Sequence, residues 1–318
     1  MQPAVIRRIA SNRCVDASTL LLSVNLGWSS TRCELESHPI EYGLIVGPID
    51  AVCSAVSNVT LRKDKLPMKN CSPRDVADTF GKCGIPWEWN RLGLLVDPQS
   101  SEIQGHMDLG IMKLADPYEY LSAVTNSICV VTKQAYSVGV YYDGKLGIQY
   151  IFNRKSGLVE ERELDQLVLL LGSEHAASGI GRVLLDVALR ISEMRKGALI
   201  VLGDIPLSCL SNDAAANISG FLPKKVLELP RTELINYAIE DYATWVDQRG
   251  LLRGHNLSLI GPGGRHSIAK DVTSKNEHAL ALVVSQDGEI TLFRQGLGQR
   301  LATQTGDDAL FDQNTSNV

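Results

Sequence analysis

The fold is decided by Leu257-Ser258-Leu259-Ile260-Gly261-Pro262-Gly263-Gly264-Arg265-His266-Ser267-Ile268-Ala269. An apolar run leads into three glycines within four residues, and an Arg-His pair follows. A segment with helical spacing and a second apolar run, Ala279 to Val284, come next. This order predicts a strand, a glycine loop, a helix and a strand, as in an α/β protein.

The glycine loop is a candidate phosphate site. Backbone N–H groups at a helix N-terminus attract anions, glycine lets a ligand approach the main chain, and an arginine fork matches phosphate oxygens. The alternative is a turn that needs glycine for its dihedral angles and carries an exposed arginine. The residues of the loop alone leave both interpretations open.

Length and composition bound the class of protein. A chain of 318 residues favours two domains, and 44% hydrophobic with 21% charged residues is typical of a globular protein. The net charge of -5 argues against general nucleic-acid binding. No apolar run approaches the roughly 20 residues of a membrane helix, and Met1 to Cys14 lacks the apolar core of a signal peptide. We therefore expect a cytoplasmic protein.

The seven cysteines include no Cys-x-x-Cys pair. An odd count without a secretion signal argues against a disulfide framework, and the spacing argues against a structural zinc site. Buried free thiols are expected. Redox sensing or an unusual metal site is the alternative.

The N-terminal part is predicted to be rich in β-structure. Residues 18–27, 42–52, 127–132 and 138–152 are β-rich runs, and Asp143-Gly144 is a hairpin turn. Residues 57–89 are predicted to form a loop with one short helix, over 72–80. We detect no internal repeat in the sequence.

From Gly157 onwards the pattern changes to alternating helices and strands. The predicted helices are 158–171, 180–194 and 232–240, and the predicted strands are 197–203, 241–247, 251–260 and 289–294. We expect a β-rich N-terminal domain over 1–155, with a possible regulatory or sensory role, an α/β domain over 156–296 and a loose polar tail over 297–318.

Polar groups follow the strand ends of the second domain. Asp241 stands at the start of one strand, the Gly-Arg-His loop follows the next, and Ser285 and Asp287 end the one after. In a continuous sheet, a carboxylate and an anion site would then face one cleft. That pairing suits a nucleoside triphosphate with Mg²⁺ or Mn²⁺.

Five segments resemble a known family: 195–203, 237–243, 263–269, 283–285 and 287–292. They are similar, in order and spacing, to the diadenylate cyclase domain found in the DNA-integrity scanning protein and its relatives. The resemblance covers about residues 180 to 296. It implies an α/β fold with a mixed sheet flanked by helices, and condensation of two ATP molecules into cyclic di-AMP. It also implies a homo-oligomer, because two such domains meet face to face and each contributes one ATP.

The resemblance also implies roles for individual residues. The family signatures Asp-Gly-Ala and Thr-Arg-His-Arg correspond here to Asp241-Tyr242-Ala243 and Gly264-Arg265-His266-Ser267. Asp241 would bind the metal and activate the ribose 3′-hydroxyl, while Arg265 and His266 would bind the triphosphate. The remaining implied nucleotide contacts are Tyr242, Ala243, Gly263, Gly264, Ser267 and Ser285, and Asp287 is a further candidate metal ligand.

Three departures from the signatures support an alternative function. Tyr242 adds a ring that could fill the adenine pocket or stack on a base, Ser267 removes a guanidinium, and Gly264 removes a hydroxyl. Lost contacts to a transferring phosphoryl group lower turnover more than binding. The alternative is therefore a nucleotide sensor of the same fold that binds ATP or a cyclic dinucleotide. An interaction module that acts through the N-terminal domain is a third hypothesis.

Overall fold

The computed structural model describes residues 4–35, 38–39, 41–80, 91–114, 116–133, 136–153, 156–172, 178–239, 242–259, 264–302 and 304–306. The chain forms two compact units, the first mainly from residues up to Phe152 and the second mainly from Glu160 to Thr305. Each unit has a mixed sheet flanked by helices. This confirms the predicted α/β class, and the first unit, which was predicted to be rich in β-structure, contains helices as well. Within the described ranges, no helix is both long and apolar enough to span a membrane.

The first unit contains α1 (Ala4–Asn12), α2 (Ala17–Ser30), α3 (Ile49–Ala55), α4 (Pro73–Phe80) and α5 (Pro117–Val124). Its strands are β1 (Glu34–Leu35), β2 (His38–Pro39), β3 (Gly43–Val46), β4 (Val59–Pro67), β5 (Leu92–Val96), β6 (Glu102–Asp108), β7 (Ile128–Lys133), β8 (Ser137–Tyr142) and β9 (Lys145–Asn153). A 3₁₀ turn, Leu109–Met112, precedes α5. Strand β10 (Leu158–Glu163) then carries the chain into the second unit.

The second unit contains α6 (Leu164–Leu170), α7 (Ile180–Glu193), α8 (Asn212–Gly220), α9 (Arg231–Ala238) and α10 (Arg265–Lys275). Its strands are β11 (Ala198–Leu202), β12 (Lys224–Lys225), β13 (Ala243–Val246), β14 (Leu251–Leu257), β15 (Leu280–Val284), β16 (Ile290–Arg294) and β17 (Leu297–Arg300). Strand β18 (Gln304–Gly306) lies beside β10 at the end of the nine-stranded sheet that also contains β3 to β9. Short 3₁₀ turns are Leu207–Cys209 and Val226–Glu228.

The two units have the same topology. Seven strands of the first lie in the order β4-β6-β5-β3-β7-β8-β9, and those of the second in the order β12-β14-β13-β11-β15-β16-β17. When these seven strands are numbered 1 to 7 along the chain, starting from β3 in the first unit and from β11 in the second, both orders read 2-4-3-1-5-6-7. Strands 1 and 3 are parallel in both, and the other neighbours are antiparallel. The helices also fall between corresponding strands, and α2 and α7 each have 14 residues.

Equivalent hydrogen bonds fix the register between the units. The N–H of Gly47 donates to the carbonyl of Val96 at 3.3 Å, and that of Gly203 donates to the carbonyl of Val246 at 2.9 Å. Gly47 therefore corresponds to Gly203, and Val96 corresponds to Val246.

A second pair of hydrogen bonds relates the two hairpins. The N–H of Gly144 donates to Ser122 Oγ on α5, and that of Gly296 donates to Thr273 Oγ1 on α10, both at 3.1 Å. In each hairpin both turn residues have positive φ, 54° and 67° in Asp143-Gly144, and 50° and 76° in Gln295-Gly296. Ser122 therefore corresponds to Thr273.

The chain thus contains an internal structural repeat, although no repeat is visible in its sequence. Few residues are shared at corresponding places, among them the Val-Asp pairs 96–97 and 246–247. A fold of this kind requires apolar residues at buried strand positions, and many different apolar residues satisfy that requirement. The repeat is therefore visible in the topology and register rather than in residue identity.

Five secondary-structure predictions were wrong. Residues 59–67 form strand β4 instead of a loop, because their side chains alternate too irregularly to show a strand period, and residues 49–52 belong to helix α3 instead of a strand. Residues 18–27 lie in helix α2, which is buried on nearly all sides and so lacks the polar face that indicates a helix. Residues 158–163 form strand β10, whose buried charges Glu160 and Arg162 pair with each other at 2.6 Å and resemble a helical polar face in the sequence. Residues 297–300 form a strand on β16 instead of starting a loose tail, because the positive φ angles of Gln295-Gly296 permit a tight turn.

Candidate functional site

A cleft of about 380 Å³ opens at one edge of the second sheet, where edge means the row of strand ends and not an outer strand. The N-terminal ends of β11 and β13 meet the C-terminal end of β14 at this edge, because Leu199 pairs with Ala243 in parallel and Ala243 pairs with Leu257 in antiparallel register. The first turn of α10 lies over the same edge. The cleft is lined by Leu199, Tyr242, Ala243, Leu257, Ser258, Leu259, Gly264, Arg265 and Ile268.

Arg265 is the cationic side chain of the cleft lining. It occupies the first position of α10, and Ile268 follows three residues later on the same helical face. Its guanidinium lies against Gly197, just before β11, since a Cβ built on Gly197 would be only 2.1 Å from Nη2. A glycine at position 197 therefore gives the guanidinium its place at the sheet edge.

The N-terminus of α10 is open. Gly264 is its N-cap, and glycine has no side chain that could accept a hydrogen bond from the N–H groups of the first turn. The first turn carries no acidic residue. The partial positive charge of the helix terminus and the Arg265 guanidinium therefore act on the same end of the cleft, which favours an anion.

Tyr242 and Ala243 form another wall of the cleft. Ala243 is buried, whereas the side chain of Tyr242 is 49% exposed although it contributes to the lining. With Leu199, Leu257 and Leu259, these residues make the wall largely apolar. An apolar cleft with a cationic end can hold a planar base and a phosphate at once.

His266 and Ser267 are exposed and are not among the lining residues. They follow Arg265 by one and two positions, so they project from other faces of the helix. The His266 ring packs edge-on to Phe293, with 5.9 Å between the ring centroids. Phosphate contacts by His266 and Ser267 stay predictions.

Ser285 and Asp287 lie in the turn between β15 and β16, at the same sheet edge as Gly197, because Val284 pairs with Ala198. Asp287 accepts a hydrogen bond from the N–H of Glu289 at 3.1 Å, and the N–H of Ser285 donates to the carbonyl of Glu289 at 2.8 Å. Neither residue contributes to the cleft lining.

Buried side chains fix this turn from behind. Arg162 donates to the carbonyl of Gly288 at 2.7 Å and to Ser192 Oγ at 2.8 Å, and Glu160 contacts its guanidinium at 2.6 Å. Arg162 and Glu160 have no exposed side-chain area. Ser285 and Asp287 are consequently held on a rigid support beside the cleft.

Two predicted site residues, Asp241 and Gly263, lie outside the described residues. Within the ranges that the structure describes, no group of three or more His, Cys, Asp or Glu side chains could hold a metal. Mg²⁺ takes one or two protein carboxylates when substrate phosphates supply other ligands. Asp241 with a bound triphosphate fits that requirement and stays the proposed metal site.

Several residues that shape the cleft were not predicted as site residues: Gly197, Leu199, Leu257, Ser258, Leu259 and Ile268. Gly197 had a signal, since it directly precedes an apolar strand. The apolar residues had none that distinguishes a cleft wall from a core, because either use requires the same side chains.

A second cavity, of about 410 Å³, lies between α8 and β14. It is lined by Ala216, Asn217, Gly220, Phe221, Gly254, His255 and Asn256. This described lining contains no arginine or lysine, and the His255 ring packs on Tyr237 with 4.6 Å between centroids. The Arg265 cleft is therefore the better candidate for a phosphate site.

The fold and the cleft define a mixed α/β protein with a candidate anion-binding site. No protein-family model and no curated protein matches the chain. A solved structure of a DacA double mutant from Staphylococcus aureus is 16% identical, covers 45% of this chain and 97% of that chain, and has a TM-score of 0.30. A hypothetical membrane spanning protein from Bacillus cereus is 20% identical, covers 37% of this chain and 61% of that chain, and has a TM-score of 0.27.

Proposed function

We propose that the cleft of the second unit binds the triphosphate of ATP. The observation that carries this proposal is the position of Arg265, whose guanidinium lies against Gly197 beside the open N-terminus of α10. A guanidinium and a helix terminus that converge on one cleft form a built anion site. The apolar walls from Leu199, Leu257 and Ile268 suit the base and ribose.

We further propose the reaction of the family that the sequence resembles, the condensation of two ATP molecules into cyclic di-AMP. Each 3′-hydroxyl attacks the α-phosphorus of the other nucleotide, so two P–O bonds form and two pyrophosphates leave. Asp241 would accept a hydroxyl proton, and Arg265 would stabilise charge on the phosphate oxygens. Bound Mg²⁺ or Mn²⁺ would supply further charge neutralisation at the triphosphate.

The first experiment separates the products of ATP after incubation with the protein and Mn²⁺ or Mg²⁺. Cyclic di-AMP is expected, and EDTA should abolish it. Arg265→Ala should weaken ATP binding by roughly 10- to 100-fold, because a hydrogen bond to a charged group contributes about 1.5–3 kcal/mol.

The matched control is Arg249→Ala. This arginine is in the same unit, its side chain is 75% exposed, and it does not line the cleft. Equal loss of ATP binding in both variants, or no ATP binding by the unmodified protein in calorimetry, would contradict the proposal.

The second candidate is a nucleotide sensor with little turnover. The half-exposed Tyr242 ring in the cleft wall favours it, since a ring there restricts how two nucleotides approach each other. A sensor binds ATP or cyclic di-AMP but forms no product. Tyr242→Gly tests the obstruction directly, because appearance of product in this variant alone would assign the lack of turnover to the ring.

A further inference from the structure

The structural repeat identifies the places in the first unit that correspond to the cleft. We infer that the chain carries one nucleotide site, in the second unit, and that the corresponding place in the first unit is closed to nucleotides. This inference rests on the proposed function. Three differences between the units support it.

The first difference is the start of the helix. Because Ser122 corresponds to Thr273, helices α5 and α10 end at corresponding residues, Val124 and Lys275. Helix α5 has 8 residues and α10 has 11, so α10 starts three residues earlier. The additional residues are Arg265, His266 and Ser267, which are the phosphate-binding part of the predicted signature.

The shorter helix is closed by its own side chain. Asp116 is the N-cap of α5, and its carboxylate accepts hydrogen bonds from the N–H groups of Tyr118 at 3.2 Å and Glu119 at 3.0 Å. These groups are therefore already occupied. The negative charges of Asp116 and Glu119 also disfavour a phosphate at this terminus, and the residue that corresponds to Arg265 by sequence position is the uncharged Leu114.

The second difference is at the surface of the first strand of each unit. Gly43 pairs with Gly93 as Leu199 pairs with Ala243, so Gly43 corresponds to Leu199, which lines the cleft. The ring of Tyr118 lies against Gly43, because a Cβ on Gly43 would be 2.0 Å from ring atom Cε1. Tyr118 is only 6% exposed. A buried ring thus fills the space over this strand in the first unit.

The third difference is at the predicted metal ligand. Arg91 stands two residues before Gly93, as Asp241 stands two residues before Ala243. Arg91 makes two hydrogen bonds to Asp108, from Nε to Oδ1 at 3.0 Å and from Nη2 to Oδ2 at 2.7 Å. A guanidinium repels a divalent cation, and its carboxylate partner is already engaged. At these described positions, the first unit therefore has neither the predicted metal ligand nor the predicted phosphate contact.

One site per chain has a consequence for the chemistry. A product assembled from two nucleotides then requires two chains, each holding one ATP. The first unit has the same topology as the second, but it binds no nucleotide because the corresponding place is filled.

The test is the stoichiometry of binding, measured by isothermal titration calorimetry on the full chain with α,β-methylene-ATP, which cannot be cyclised. One nucleotide per chain is expected. Two per chain would overturn the inference while leaving the proposed function intact. No binding at all would contradict the proposed function, so the two failures are distinguishable.

Variants separate the two units. Arg265→Ala should weaken the binding of that one nucleotide by roughly 10- to 100-fold, and one nucleotide still bound with the affinity of the unmodified protein would reveal a second site. Arg91→Ala should leave both stoichiometry and affinity unchanged, and loss of a binding event in this variant would contradict the inference. Circular dichroism spectra matching the unmodified protein establish that each variant is folded.

Discussion

Helices α5 and α10 occupy the same place in two copies of one fold, but they differ at their N-termini. Helix α5 begins with Asp116 capping its own N–H groups, whereas α10 begins three residues earlier at Gly264, with Arg265 in its first turn. A carboxylate cap stabilises a helix and excludes anions, while a glycine cap leaves the terminus open. The comparison shows how a few residues decide whether the same helix begins with a carboxylate cap or with an arginine in its first turn.

The largest expected effect concerns the tyrosines of the two units. Tyr118→Ala should destabilise the protein by about 3–5 kcal/mol, as for other buried aromatic side chains, because Tyr118 is 6% exposed. Tyr242→Ala should change stability by at most about 0.5 kcal/mol, because that side chain is 49% exposed. Urea denaturation measures both. Equal costs would contradict the description of one place as filled and the other as open.

The next effect concerns the contact between Gly197 and Arg265. Gly197→Val should displace the guanidinium and weaken ATP binding by about 10- to 100-fold, equivalent to about 1.4–2.7 kcal/mol, while the flexible arginine limits the cost to folding. Gly220→Val is the control, since a Cβ at Gly220 meets none of the described atoms within 4 Å. Unchanged ATP affinity in Gly197→Val would show that binding does not depend on this position of Arg265.

A third prediction concerns a substitution that adds a carboxylate cap to the N-terminus of α10. Gly264→Asp should weaken ATP binding by about tenfold, or ~1.4 kcal/mol, because the new carboxylate would cap α10 as Asp116 caps α5. Stability should rise by only a few tenths of a kcal/mol, since glycine is already a tolerated N-cap. Calorimetry and urea denaturation measure the two quantities. Tighter ATP binding in this variant would contradict the anion site.

The smallest expected effect is the reverse change in the first unit. Asp116→Ala removes the cap of α5 and should cost about 1 kcal/mol of stability, measured by urea denaturation. It should not create a second nucleotide site, because Tyr118 and Arg91 still occupy the corresponding place. A second equivalent of bound nucleotide in this variant would show that Asp116 alone closes the first unit.

Local patterns predicted much of the second unit. Helix α7, strand β11 and strand β16 have clear periodicity or flanking turn residues, and the structure has them within one or two residues of the predicted bounds. Helix α2 was mistaken for sheet because burial on nearly all sides removes the polar face that gives a helix its period. Strand β10 was mistaken for helix because its internal ion pair looked like a solvated face.

The candidate site was predicted in part. The sequence identified Tyr242, Ala243, Gly264 and Arg265, which the structure places around one cleft. It could not indicate that His266 and Ser267 project away from that cleft, since this depends on which face of α10 packs on the sheet. The roles of these residues in binding or catalysis stay predictions until nucleotide binding is measured.

The sequence by itself determined the α/β class and the glycine-arginine turn at the start of a helix, because both follow from local periodicity and from the dihedral freedom of glycine. Only the tertiary structure decided that Arg265 lies against Gly197, since 68 positions separate them along the chain and the sheet register brings them together. The structural repeat is likewise visible only in the tertiary structure. Strand pairing and burial preserve a fold through side chains of similar character, and residue identity need not survive.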